Sequence, residues 1–74
     1  MDSKLKVDKR ATGLRLYRPI ENSEYTREEI ANYLELTSTR VIYAWLNGVK
    51  LPSTENLLNL SKLLKVQIED ILVI

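Results

Sequence analysis

The sequence predicts an all-α fold, a compact bundle of five short helices. Three observations predict it. Apolar residues recur at intervals of three and four along most of the chain, which is helical spacing. Ser and Thr residues stand where helices need N-caps, and both glycines and both prolines lie outside the strongest helical stretches. Strand-like alternation is limited to residues 5–7, which is too short to predict a strand.

The first helix is expected to begin at an N-cap Thr12 and to carry a short apolar stripe. It is expected to end near Arg18, because Pro19 has no amide hydrogen and clashes with the preceding turn. Residues 1–11 are basic and are expected to form a loosely ordered arm. Residues 12–74 then form the folded domain.

The second and third helices have clear signals at their ends. Thr26 and Glu29 have the spacing of a capping box, in which each side chain accepts a hydrogen bond from the other residue's amide. A short break follows, after which Ser38 or Thr37 is expected to cap the third helix. Gly48 is expected to end that helix, since glycine readily adopts the left-handed conformation of a helix C-terminus.

The third helix is amphipathic on a helical wheel of about 100° per residue. Its apolar side is expected to face the core and consists of Val41, Ile42, Trp45 and Leu46. The opposite side is expected to face outward and consists of Arg40, Tyr43, Ala44 and Asn47. This helix therefore presents a mostly polar surface.

The last two helices complete the bundle. Ser53 is expected to cap a fourth helix with a leucine stripe, and residues 68–72 are expected to form the fifth. Four consecutive apolar residues stand at positions 71–74, more than one helix face can bury. Either two of them enter the core and two stay exposed, or Ile71, Val73 and Ile74 contact a second copy in a homodimer.

Composition excludes several classes of function. The 74 residues include no Cys and no His, so disulfides, metal sites with Cys or His ligands, Cys nucleophiles and His-based triads are all excluded. We expect no catalytic residues, no metal, no cofactor and no small-molecule ligand. The longest apolar run, residues 41–46, is far shorter than the ~20 residues that span a bilayer. Without a signal-peptide stretch either, the protein is expected to be cytoplasmic and to have no membrane partner.

Charge is unevenly distributed along the chain. The net charge of +1 does not by itself indicate a nucleic-acid partner. Residues 1–18 carry a net +4 and residues 37–50 a net +2, whereas residues 19–36 carry −4 and residues 51–74 carry −1. The acidic residues of the second helix and the turn after it (Glu28, Glu29 and Glu35) are expected to face away from any polyanion, while the third helix is basic.

An ordered set of residues resembles the Xre family of bacterial and phage DNA-binding domains, the class of the phage repressors and Cro proteins. The set runs through Thr26, Ile30, Ala31, Leu34, Ser38, Ile42, Trp45, Gly48, Pro52, Ser53, Leu57, Leu60, Leu63 or Leu64, Val66, Asp70 and Leu72. The resemblance covers residues 12–72. The chain departs from the family pattern at Arg27, where Gln is common, and at Glu35, where Gly is usual.

The resemblance implies a lambda-repressor-like domain whose second and third helices form a helix-turn-helix. It implies a small transcriptional regulator, a repressor, that binds double-stranded DNA. A homodimer formed through the C-terminal apolar residues would suit an operator with two half-sites. With no nucleophile beside a base and no room for a sizeable pocket, we expect the protein not to be an enzyme. Residues 38–47 would form the recognition helix in the major groove. The residues expected to contact DNA are Thr26, Arg27, Ser38, Thr39, Arg40, Tyr43, Ala44, Asn47 and Lys50.

Physical chemistry suggests the role of each group. The fork of Arg40 matches the O6 and N7 atoms of guanine, and Thr39 can bond a base or a phosphate. Ala44 or the Tyr43 ring can meet a thymine methyl group, while Asn47 and Lys50 suit phosphates. Ser38 lies at the N-terminal end of the helix that reads the bases.

Structural roles without DNA contact are the alternatives for three of these groups. Arg40 is then a solvated surface residue, Tyr43 packs sideways on the second helix, and the basic arm is a solubilising tail. Arg27 is either a surface charge at the start of the second helix or a phosphate ligand there, together with Thr26 and the first amides. A cation at a helix N-terminus opposes the helix dipole, and this misfit favours the phosphate ligand. A different class of function also stays open, namely a protein-interaction module or antitoxin-like partner that keeps the fold with weak or no DNA binding.

Overall fold

Five α-helices follow one another in the computed structural model, which describes residues 4–74. Residues 1–3 of the predicted arm lie outside the described part. The helices are α1 (Lys9–Asn22), α2 (Arg27–Tyr33), α3 (Arg40–Leu46), α4 (Thr54–Leu64) and α5 (Ile68–Ile71). Within this part of the chain no strand is formed, which confirms the predicted all-α, five-helix fold. None of these helices is long and apolar enough to cross a membrane.

One apolar core holds the helices together. α1 packs against α3 and α5, and α5 packs against α4. The buried apolar side chains come from all five helices and from the end of α2; they are Leu16, Ile20, Ile30, Ala31, Leu34, Ile42, Trp45, Leu60 and Ile71. Trp45 is 2% exposed, as its place on the apolar side of the helical wheel predicted.

The first helix begins earlier than predicted. Its N-cap is Asp8, whose carboxylate accepts from the Ala11 amide at 3.0 Å, so Thr12 as the cap is wrong. Thr12 is instead buried one turn inside the helix. Its hydroxyl oxygen accepts a hydrogen bond from the Val73 amide at 3.0 Å. A tertiary contact with the end of the chain therefore explains why a threonine stands at position 12, and the N-cap lies four residues before it.

The first helix also ends later than predicted, because Pro19 lies inside it. Proline in a helix interior costs one hydrogen bond and crowds the preceding turn. The extra turn buries Ile20 one turn after Leu16, where both fill the core. The helix then closes at Ser23, whose amide donates to the Ile20 carbonyl at 3.3 Å. Burial of Ile20 offsets the proline, which is a tertiary effect that local propensity does not contain.

Two of the predicted caps are present. The Thr26 amide donates to the Glu29 carboxylate at 2.8 Å, and the Glu29 amide donates to the Thr26 hydroxyl at 3.1 Å, which completes the capping box of α2. The Ser53 hydroxyl accepts from the Asn56 amide at 3.1 Å at the start of α4. Local hydrogen bonds of this kind are encoded within four residues, so the sequence predicts them well.

The C-terminal segment packs back on the start of α1. The Asp8 amide donates to the Val73 carbonyl at 2.7 Å. Ile71 is 1% exposed and belongs to the core, so the prediction of Ile71 as a dimer contact is wrong. Val73 is half-buried, and Ile74 is 69% exposed. The core accepts Ile71 because α5 lies against both α1 and α4.

Candidate nucleic-acid interface

The outward side of α3 carries a stripe of exposed side chains. Arg40, Tyr43 and Asn47 are exposed at intervals of three and four, while Ile42 and Trp45 on the opposite side are buried. This is one continuous face of a helix. Ala44, which the helical wheel also places outward, is half-buried within the same face.

The start of α3 differs in detail from the prediction. The helix begins at Arg40, and its N-cap Thr39 makes no side-chain capping hydrogen bond. The Ser38 hydroxyl instead accepts from the Arg40 amide at 3.2 Å, so Ser38 serves the first turn from one residue further out. The range predicted for the recognition helix, 38–47, therefore contains α3 together with both of its caps, since Asn47 is the C-cap.

The N-terminus of α2 is joined to the outward face of α3 through Arg27. The carbon at the centre of its guanidinium lies 5.2 Å from the centroid of the Tyr43 ring, which is cation–π distance. The same guanidinium donates through Nη2 to Glu21 Oε1 of α1 at 2.8 Å. Arg27 and Tyr43 are thus brought together, and Tyr43 packs against α2 while keeping 46% of its surface exposed.

Thr26 lies at the same corner, but its backbone amide is already used. The capping box satisfies the amides of Thr26 and Glu29. Among the amides of the first turn, those of Arg27 and Glu28 are left to meet an external anion. The expected phosphate contact of this corner therefore has fewer donors than an uncapped helix start would offer.

Glu28 lies closer to α3 than the sequence suggested. Together with Ala31, Asn32, Leu36 and residues 37–39, it lines an open groove of about 320 Å³ beside the start of α3. Glu28 therefore borders the turn before α3 as a residue, while the direction in which its carboxylate faces stays a prediction.

The C-terminal end of α3 is held against α1 by two glycines. A Cβ on Gly13 would lie 2.7 Å from the Leu46 carbonyl oxygen, and a Cβ on Gly48 would lie 2.7 Å from the Arg10 Cα. Neither distance is possible for a real side chain, so α1 and α3 approach as closely as glycine permits. Asn47 and Lys50 are exposed on either side of this clamp. The clamp fixes the direction in which the outward face points.

The comparison with known families identifies this arrangement. A model of the helix-turn-helix family HTH_3 matches residues 20–71. The chain belongs to this family, the Xre and lambda-repressor-like class. No curated protein and no solved structure matches the chain significantly.

The family match assigns the helices of this helix-turn-helix domain. The matched region spans α2 to α5 and the last residues of α1. α2 and α3 are the two helices of the motif, and the family is one of DNA-binding domains rather than of enzymes. Where the family usually has glycine in the turn, Glu35 adopts the conformation that glycine favours, with φ of +58°.

The helix-turn-helix domain contains two candidate functional residues that the sequence did not reveal. Glu21 pairs with Arg27 across the loop between α1 and α2, and Glu28 borders the start of α3. Opposite charges six residues apart across a loop have no periodic signature. Only the folded course of the loop between α1 and α2 brings Glu21 within hydrogen-bond distance of Arg27.

The predicted site residues fall into two groups, which belong to different elements of the structure. Arg27 and Tyr43 meet, and residues 38–40 form the start of the same helix. The residues expected at a dimer contact belong to the C-terminal segment, which packs on the start of α1 through Val73. The segment expected at the dimer contact is therefore a different element from α3.

Proposed function

We propose that this protein is a small transcriptional repressor that binds a specific double-stranded DNA sequence, with residues 38–47 in the major groove. One observation carries the proposal. Within a helix-turn-helix domain, α3 exposes Arg40, Tyr43 and Asn47 along one face while its other face is anchored in the core. In this class the outward face of the second motif helix enters the groove.

The base contacts are proposed for the N-terminal half of α3. Arg40 is exposed in the first turn, and its guanidinium reads guanine through two parallel hydrogen bonds. Thr39, the N-cap, has a hydroxyl that no capping bond uses, and it bonds a base or a phosphate. Tyr43 and Ala44 lie one turn further on, where a ring or a methyl group meets a thymine methyl.

The phosphate contacts are proposed for the two edges of the face. Asn47 and Lys50 lie at the C-terminal end of α3, both exposed. Ser38 and Thr26 lie at the opposite edge, at the starts of α3 and α2. Such contacts set the orientation of the protein on the duplex without reading its sequence. Arg27 lies at the same edge, but its guanidinium would have to leave Glu21 to serve a phosphate as its main partner.

The direct test is a binding titration with two duplexes. A random duplex pool is first used to select bound sequences, and the consensus is then compared with a random duplex by fluorescence anisotropy over a series of salt concentrations. Binding to the random duplex should weaken steeply with salt, because phosphate contacts release counterions. Absence of binding to any duplex at tens of millimolar salt would refute the proposal.

Arg40→Ala is the sharpest single variant. On the selected sequence it should cost about 1–3 kcal/mol of binding free energy, and on a random duplex much less, since a lost base contact matters only where the base is present. The matched control is Lys62→Ala, which removes one exposed positive charge from α4, outside the proposed interface. An equal loss on both duplexes would show that Arg40 contacts only phosphate.

A protein-interaction module is the second candidate, and two observations favour it. Glu28 lines the groove beside the start of α3, and Glu21 pairs with Arg27 at the start of α2, where a phosphate would bind. Both reduce the positive potential of the face. The titration separates the candidates, because an interaction module that has lost DNA binding shows no salt-dependent affinity for duplex.

We also propose that the protein acts as a homodimer, with the exposed Ile74 and the half-buried Val73 at the contact. One domain reaches few base pairs, so two linked copies on two half-sites gain both affinity and specificity. Sedimentation velocity on the protein and on Ile74→Asp tests this. The variant should sediment as a monomer at concentrations where the parent is a dimer, and a monomeric parent would refute the contact.

A further inference from the structure

An ion pair between α1 and the helix-turn-helix motif reaches the proposed DNA-facing side of α3. Glu21 Oε1 on α1 accepts from Arg27 Nη2 on α2 at 2.8 Å, and the two side chains are 43% and 24% exposed. Arg27 is the more buried partner. The pair therefore joins α1 to the first residue of the motif.

The other side of the Arg27 guanidinium meets the recognition helix. Its central carbon lies 5.2 Å from the Tyr43 ring centroid, within the range in which a cation is attracted to the face of a ring. The Arg27 Nε atom is buried and has no hydrogen-bond partner among the described residues. The direction of the guanidinium is thus set by Glu21 on one side and by the Tyr43 ring on the other.

Arg27 would not hold this position alone. A cation in the first turn of a helix opposes the helix dipole, and a buried donor without an acceptor is also unfavourable. A long side chain regains rotamer freedom when it turns into solvent. The hydrogen bond from Nη2 to Glu21 offsets these costs although it leaves Nε without a partner, so the Glu21 carboxylate is the group that keeps Arg27 between the helices.

We propose that Glu21 is a positioning residue of the DNA interface: by holding Arg27 against the Tyr43 ring, it fixes the direction in which that ring faces a bound duplex. The inference rests on the proposed function. It makes Arg27 a support for Tyr43 in place of a phosphate ligand, and it gives α1 a part in sequence discrimination. Without Glu21, Arg27 is released to a phosphate, while the half-exposed Tyr43 ring loses one of its walls.

The test compares Glu21→Gln with Glu24→Gln. Both remove one exposed carboxylate near the α1–α2 loop, but Glu24 makes no ion pair among the described residues. Any general gain in DNA affinity from lost negative charge appears in both variants. For each, the dissociation constants on the selected and the random duplex are measured over a series of salt concentrations, and melting curves verify the fold.

Glu21→Gln should lower the ratio of random to selected dissociation constants by about fivefold relative to Glu24→Gln, the scale of a weakened base contact. Its salt dependence on the random duplex should steepen by about 0.9 in the log–log slope, because the released Arg27 neutralises one more phosphate. If the two variants bind alike while the parent discriminates between duplexes, the inference fails and the proposed function stands. A parent that binds no duplex overturns both.

A double-mutant cycle tests whether Glu21 acts on DNA binding through the Tyr43 ring. In a Tyr43→Ala background, Glu21→Gln should no longer change the specificity ratio, whereas in a Tyr43→Phe background, which keeps the ring, the effect should persist. A full effect of Glu21→Gln without the ring would overturn the proposal. In the free protein, the ring signals of Tyr43 and the Nε–H signal of Arg27 should shift in Glu21→Gln spectra and not in those of Glu24→Gln.

Discussion

The ends of α2 and α3 have the same backbone geometry but different residues at the decisive position. At the end of α2 the Leu36 amide donates to the Ala31 carbonyl at 2.8 Å, and at the end of α3 the Val49 amide donates to the Ala44 carbonyl at 2.9 Å. These are the six-to-one bonds of a Schellman motif. The residue before each donor has a left-handed backbone, with φ of +58° at Glu35 and +73° at Gly48.

Space explains why one position carries glutamate and the other glycine. A Cβ on Gly48 would collide with the backbone of Arg10, whereas Glu35 is exposed in the turn between the motif helices. A left-handed backbone costs an L-residue about 1–2 kcal/mol, which a folded domain can carry. A collision with another helix cannot be relieved without moving that helix. Conformation alone therefore favours glycine in the turn, while packing demands it at the α1–α3 clamp.

Gly48→Ala should have the largest effect, since it combines a left-handed Cβ with the collision against α1. We expect a loss of about 2–5 kcal/mol in the free energy of unfolding, the sum of overpacking and backbone strain. Urea denaturation followed by circular dichroism measures it. A urea midpoint within error of that of the parent would show that the backbone of α1 moves at Arg10 to make room for the Cβ, so that glycine is not required there.

Gly13→Ala isolates the collision, because Gly13 has ordinary helical geometry. A Cβ there meets the carbonyls of Trp45 and Leu46, and we expect a loss of about 1–3 kcal/mol. This runs against helix propensity, which by itself favours alanine by about 1 kcal/mol. The control is Leu14→Ala on the exposed side of the same helix, with a change within about 0.5 kcal/mol. A stabilised Gly13→Ala protein would disprove the close approach.

Glu35→Gly isolates the conformation and should have the smallest effect, a gain of about 0.5–1 kcal/mol in stability. Glu35→Ala is the control, because it removes the carboxylate but keeps the strained Cβ, and it should leave stability nearly unchanged. Lys65, with φ of +57° at the end of α4, should respond to glycine in the same direction. Equal gains in stability from Glu35→Gly and Glu35→Ala would mean that the charge of Glu35, not its backbone strain, lowers the stability of the parent.

For DNA binding, the contacts that hold α3 in the fold and the side chains that α3 presents to the duplex are separate features. The clamp at Gly13 and Gly48 lies at the C-terminal end of the helix, while Arg40 is its first residue and Tyr43 lies at its middle. A variant of the clamp should thus weaken binding to selected and random duplexes through the fold. Arg40→Ala should reduce only discrimination.

Local chemistry let the sequence predict much of this protein. The capping box at Thr26 and Glu29, the cap at Ser53 and the left-handed end at Gly48 each depend on residues within five positions of one another. The outward stripe of α3 follows from helical periodicity, which needs no knowledge of neighbouring helices. Five helices, a tryptophan in the core and the family of the domain follow from signals of this kind.

Only the tertiary structure decided the features that depend on burial or on contact between distant segments. Pro19 stays inside α1 because Ile20 is buried, Thr12 serves the Val73 amide instead of capping a helix, and Ile71 fills the core. The Glu21–Arg27–Tyr43 contact joins three helices, and no local pattern contains it. Hydrogen bonds within a turn are fixed by neighbours in sequence, whereas burial and ion pairing are fixed by neighbours in space.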